Sequence, residues 1–88
     1  MTQFLGMNPQ EVKTLSTQFS SSADQIRQLV SSLTSQLQCV SWIGADRERF
    51  LNDWTSQHVP QLNTVAMALD TASQRAMQNA IDQENVSM

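Results

Sequence analysis

The chain has one cysteine, one histidine and no tyrosine in 88 residues. A lone Cys39 excludes an internal disulfide, and with a lone His58 it falls short of any usual zinc set, so no metal and no cofactor are expected. Charged residues make up only 15%, five basic against eight acidic, for a net charge of −3. That balance leaves no basic stripe for nucleic acid. No stretch approaches the roughly 18–20 uninterrupted apolar residues of a membrane-spanning helix. The opening Met1-Thr2-Gln3-Phe4-Leu5-Gly6 has no basic lead and no long apolar block, so no secretory signal peptide is expected.

Glycine and proline are also scarce, at two each, and their placement divides the chain. Gly6 and Pro9 bracket the start, Gly44 sits at the midpoint and Pro60 lies in the second half. Residues 10–43 and 61–88 contain neither. Strands of about 5–6 residues need turns between them, so long breaker-free stretches favour helices. What fills them is 40% apolar residues on a background of 12 Gln, 11 Ser and 7 Thr, enough for one small domain spanning 1–88.

The first helix has a legible start. Asn8 suits the N-cap, Pro9 the first helical position and Glu11 the third, where it forms a capping box and complements the helix dipole. Met7 and Val12 are placed for a hydrophobic staple. Apolar residues then recur as Val12, Leu15, Phe19, Ala23, Ile26, Val30, Leu33, Leu37 and Val40, in steps of three and four. This is one stripe of an α-helix over about 9–40, widened by Leu29. Ser20-Ser21-Ser22 is weak helix material, so packing must support this helix.

A second stripe follows Gly44: Leu51, Trp54, His58, Leu62, Val65, Leu69, Ala72, Ala76 and Ala80, broadened by Phe50 and Ile81. It predicts a helix over about 46–83, a turn over about 41–45 and a frayed tail over 84–88. Pro60 removes a backbone donor and crowds the Ser56 carbonyl, so a kink is expected near 56–60. The short link makes the helices antiparallel neighbours. Each stripe is wider than one partner helix covers. The expected fold is therefore all-α: a helix-turn-helix hairpin that dimerises into a four-helix bundle. Its expected interface is Val12, Leu15, Phe19, Ile26, Val30, Leu33, Leu37, Phe50, Trp54, Leu62, Val65 and Leu69.

Candidate chemistry is thin. Cys39 and His58 are the only obvious nucleophile and base, but no Gly-rich oxyanion loop accompanies them and a slender hairpin offers no pocket. No catalytic activity is expected; Cys39 reads as a small boundary residue and His58 as an interface cap. Asp46, Glu48 and Asp53, interleaved with Arg47 and Arg49, read as a solvated face at a helix start. The five methionines form no single stripe. Trp42-Ile43-Gly44 stands out, because it joins two long amphipathic helices at the chain midpoint. Glycine there permits a positive φ, and Trp42 supplies an apolar plate for the end of the bundle.

Over about residues 7–84 the chain resembles the Trp-X-Gly (WXG) ESAT-like proteins of type VII (ESX) secretion. The resemblance rests on Asn8-Pro9-Gln10-Glu11-Val12, on Ala23-Asp24-Gln25-Ile26-Arg27-Gln28-Leu29, and on Trp42-Ile43-Gly44-Ala45-Asp46-Arg47-Glu48-Arg49-Phe50. Val59-Pro60-Gln61-Leu62 also stands where some relatives have proline. It implies a helical hairpin that pairs with itself or with a related hairpin. Such dimers leave Gram-positive bacteria folded, without a cleaved signal, by way of an export ATPase; many are effectors, export co-factors or virulence proteins. Trp42 and Gly44 match the family turn. Members commonly carry a C-terminal Tyr-xxx-Asp/Glu signal, whereas this chain has Ala80 at the aromatic place and Glu84 at the acidic one. Either a partner supplies the signal or this branch uses a variant.

The expected function is thus a non-enzymatic protein exported by, or partnering export in, such a system: cytoplasmic at first, then secreted. A homodimer is favoured, and a heterodimer with a related protein stays open. Two other readings compete: a membrane-active amphipathic hairpin, and an intracellular helical adaptor.

Overall fold

The computed structural model describes residues 7–87. In chain order it contains α1 (Pro9–Cys39), α2 (Ala45–Asp53), a π turn (Trp54–His58) and α3 (Val59–Ser87). No strand occurs among the described residues. Asp53, Trp54 and Val59 keep right-handed helical angles, so α2, the π turn and α3 form one continuous rod. Bonds from Lys13 to Glu84, Ser16 to Ser73 and Trp54 to Thr34 show this rod running back along α1, which makes the molecule an antiparallel helical hairpin.

The N-cap is built as its residues suggest, without the reciprocal bond from the Asn8 N–H to the Glu11 carboxylate that a capping box has. Asn8 Oδ1 accepts from the backbone N–H of Gln10 (3.0 Å) and of Glu11 (3.2 Å), with Pro9 in the first turn. Hydroxyl side chains are absorbed by the helices themselves. Thr14, Thr17, Thr34, Ser56 and Thr64 each donate to the carbonyl four residues back, which removes their competition with the helical backbone.

At the far end, α3 stays helical through Ser87, beyond residue 84, where fraying is expected. The Lys13–Glu84 ion pair, at 2.8 Å, ties that last stretch to the start of α1. Met88 lies outside the described residues.

Pro60 acts as its chemistry requires, but through a wider turn. Pro60 has no N–H to offer the Ser56 carbonyl, and the Val59 N–H reaches back five residues to Trp54. The change alters where Trp54 points. In an uninterrupted α-helix, twelve residues at about 100° each would set Trp54 about 120° from Ala66. The π turn alters that rotation, and Trp54 is only 8% exposed, with its indole bonded to α1.

The hairpin seam is made of small residues. Ser16 and Ala23 of α1 and Ala66 and Ala80 of α3 are buried, and Ser73 completes the row on α3. They recur every seven residues, as a helix pair needs to keep one line in register. Ser16 Oγ donates to the Ser73 carbonyl (2.7 Å) and Ser73 Oγ to the Ser16 carbonyl (2.7 Å), which requires the two backbones to run close together.

The large aliphatic residues flank this seam. Of the twelve expected interface positions only Trp54 is buried within the hairpin. Leu15, Phe50 and Val65 are exposed; Val12, Phe19, Ile26, Val30, Leu33, Leu37, Leu62 and Leu69 are half-buried. On α1 the stripe of Val12, Leu15, Phe19, Ile26, Leu33 and Leu37 is rotated about 60° from the Ser16–Ala23 line, at 100° per residue. Leu62, Val65, Leu69, Ala72 and Ala76 are rotated about 60° in the same sense on α3. Antiparallel helices carry equal rotations to the same side, so both stripes form one broad apolar face. The opposite side is polar, with a shallow groove of about 710 Å³ lined by Ser16, Thr17, Ser20, Ser21, Asp24, Ser73, Gln74, Met77 and Gln78.

The molecule measures 64 × 18 × 14 Å, close to one helix thick in its smallest dimension. Its radius of gyration is 19.4 Å, against about 12 Å for a compact domain of this length.

Candidate functional site at the turn

The turn is built from the end of α1 inward. Val40 leaves the helix in extended conformation, while its N–H still bonds the Gln36 carbonyl (3.0 Å). α1 has no basic residue in its last turn to serve its orphan carbonyls. Arg47 supplies one from the other side of the turn: its Nη2 donates to the Leu37 carbonyl (3.3 Å) and its Nη1 to Glu48 (2.8 Å). Within the expected solvated face, Arg47 is thus partly covered, whereas Arg49 pairs loosely with Asp46 at 3.8 Å and stays exposed.

Gly44 has φ 135°, a backbone region that side chains rarely adopt, and nothing lies within 4 Å of the position a Cβ would take. Its glycine is therefore a conformational requirement and not a packing one. Its carbonyl accepts from Glu48 N–H (3.2 Å) to open α2.

From the turn an aromatic column runs down the second rod. Trp42 and Phe50 have ring centroids 6.2 Å apart, Phe50 and Trp54 stack at 6.3 Å, and Trp54 and His58 follow at 6.3 Å. Trp54 Nε1 donates to Thr34 Oγ1 (2.9 Å), which itself donates to the Val30 carbonyl (2.7 Å). Beside the column, Trp54, His58, Gln61, Leu62 and Val65 line a shallow apolar groove of about 300 Å³. At the tip Ile43 is 95% exposed, and Val40 and Trp42 are also exposed. The sequence reading singled out Trp42, Gly44 and Phe50; it missed Arg47 and Thr34, whose roles depend on what stands across the turn.

Of the other singled-out residues, Ala80 and Glu84 lie far from the turn, whereas Cys39 borders it and His58 belongs to the aromatic column. Ala80 is fully buried in the seam, and Glu84 is engaged by Lys13. Cys39 is exposed at the end of α1. His58 closes the aromatic column. No group of metal-ligating side chains occurs among the described residues, and no helix there is long and apolar enough to cross a membrane. Arg27 and Asp70 form a charge pair across the seam; this hydrogen bond pushes the guanidinium pKa up from its ordinary value.

Comparison with protein families, curated proteins and solved structures gives no match.

Proposed function

We propose that this chain is a non-enzymatic protein of the Trp-X-Gly, ESAT-like type, exported through a type VII (ESX) secretion system or acting there as an export partner, and that it does so as a folded dimer of helical hairpins. The observation that carries the reading is the uncovered apolar face. Among the described residues only Ala23, Trp54, Ala66 and Ala80 are buried hydrophobic residues, and no large side chain is fully enclosed. Leu29 is 50% and Val65 48% exposed on that face.

The area agrees with a missing partner. The chain exposes 6216 Å², against about 5,200 Å² for a compact monomer of its mass. The excess is comparable to the roughly 800 Å² that each side of a standard interface contributes. The stripe residues of this face carry no formal charge: Lys13, Asp24, Arg27, Asp70 and Glu84 lie in or beyond the seam, and Glu11, at the helical angle of Leu29, stands at the edge of the face near one end. A second copy can therefore lie on it without bringing like charges together, although the chain carries −3 overall. A related hairpin would satisfy the same surface.

Support for the export role comes from the turn: a glycine with positive φ, preceded two positions earlier by an exposed tryptophan, at the end of a rod. In this reading an export ATPase recognises a surface that includes Trp42, with Glu84 released from Lys13 when it is read. Two measurements test it. Light scattering on the purified chain should give twice the single-chain mass, or a mixed dimer when a related hairpin is co-expressed; a cooperatively folded monomer at micromolar concentration rejects the dimer. Export of Trp42→Ala and Glu84→Ala should fall; normal export of both rejects the recognition surface.

A further inference from the structure

We propose that Arg47 is the positioning residue of the turn: by capping α1 from the start of α2, it fixes the shape in which Val40, Trp42 and Ile43 are presented. This rests on the reading above that the turn is a recognised surface.

The end of α1 has one backbone cap, from the Val40 N–H to the Gln36 carbonyl, and no side-chain cap of its own. Its last turn has no basic side chain, and the glycine that bends the chain sits five residues beyond Cys39. The segment from Val40 to Gly44 has little to hold it. Its backbone bonds are a helix-end bond from Val40 to Gln36, a tight bond from the Trp42 N–H to the Val40 carbonyl (3.0 Å) and the bond by which the Gly44 carbonyl accepts from the Glu48 N–H (3.2 Å). Gly44 is free to adopt many conformations, so its observed φ of 135° must be imposed by its surroundings.

Arg47 is the charged side chain that bridges the gap. A guanidinium presents several donors in a fixed fork, so one group serves Leu37 and Glu48 together. Its positive charge also lies where the negative end of the α1 dipole is exposed. Closing α2 onto α1 at this point sets the distance that Val40–Gly44 must span. It also sets where Phe50 stands, and Phe50 is the ring against which Trp42 packs. The exposed tip residues are thereby held in place before any partner arrives, which lowers the ordering cost of binding.

The test uses amide hydrogen exchange on the intact chain. Arg47→Ala should speed exchange at the Val40, Trp42 and Glu48 amides by about tenfold or more, the scale of one lost charge-assisted bond. Amides of the seam, around Ala23 and Ala66, should change by less than about threefold. Glu48→Gln, which takes the charge from the second partner of the fork but keeps the Leu37 cap, should leave the turn amides within about threefold of the parent. In export assays Arg47→Ala should fall as Trp42→Ala does. The proposal is overturned if the turn amides of Arg47→Ala are unchanged, if the seam amides rise equally, or if Glu48→Gln reproduces the effect. It is also overturned if Arg47→Ala is exported normally while Trp42→Ala is blocked. Normal export of Trp42→Ala, by contrast, rejects the recognised turn itself and leaves the exchange result to judge Arg47 alone.

Discussion

At the scale of single residues, side-chain size decides which contacts belong to the hairpin and which stay open. Ala66 is fully buried against α1. Ala66→Leu should therefore push the rods apart and cost about 1–3 kcal/mol, read as a lower midpoint in urea unfolding. Met67 stands next to it but is exposed, and Met67→Ala should change stability by less than about 0.5 kcal/mol. Thr34 gives a second test. It accepts the indole N–H of the largest buried side chain, so Thr34→Val keeps the shape and leaves that donor without a partner. A loss of about 1–3 kcal/mol is expected, together with a change in tryptophan near-ultraviolet dichroism. Neither role is legible in the sequence. A threonine amid six others carries no mark of its partner, and an apolar stripe is scored by its large residues, whereas two backbones approach closest where side chains are small.

Elements were more legible than the contacts between them, and the reason lies in the range of the forces. A helix start is fixed by neighbours two or three positions apart, so Asn8, Pro9 and Glu11 announce it. Asn8→Ala should accordingly cost about 1 kcal/mol and show as loss of protection in the first turn of α1, with α3 unaffected. Pro60 is equally local, and it does disturb the helix at the expected place. What locality leaves open is how the disturbance resolves. The missing donor permits either a bend or a wider turn; here the wider turn goes together with an indole of Trp54 bonded to Thr34, a partner that no local rule specifies. The phase of the seam follows the same logic. Period alone finds an apolar stripe, but the row Ser16, Ala23, Ala66, Ser73 and Ala80 is selected only when two helices compete for close approach, and serine hydroxyls there replace solvent with each other's backbone.

For the whole molecule the governing fact is that one layer of two helices has two broad sides and only one seam. The polar side needs nothing further, since hydroxyls, amides and paired charges meet water at little cost. The apolar side does, and that separates two kinds of substitution that look alike in a single chain. Val65→Glu places a charge on the apolar face at a position already exposed to solvent, while Gln78→Glu places one on the polar side. If the hairpin acted alone, Val65→Glu would be a surface change worth less than about 0.5 kcal/mol, and Gln78→Glu, which turns the bond to Asp82 into a like-charge pair, would cost about 1 kcal/mol without touching the apolar face. With a second hairpin on the apolar face, Val65→Glu buries an unpaired carboxylate and should weaken association by about 3 kcal/mol or more, roughly a hundredfold in dissociation constant, while Gln78→Glu leaves it unchanged. Sedimentation equilibrium over a dilution series reads both. It also shows whether the midpoint of thermal unfolding rises with protein concentration, as mass action requires of a dimer. Equal behaviour of the two variants would mean that the exposed leucines and valines of α1 and α3 are tolerated by a free-standing hairpin, and the export reading would then lose the dimer on which it is built.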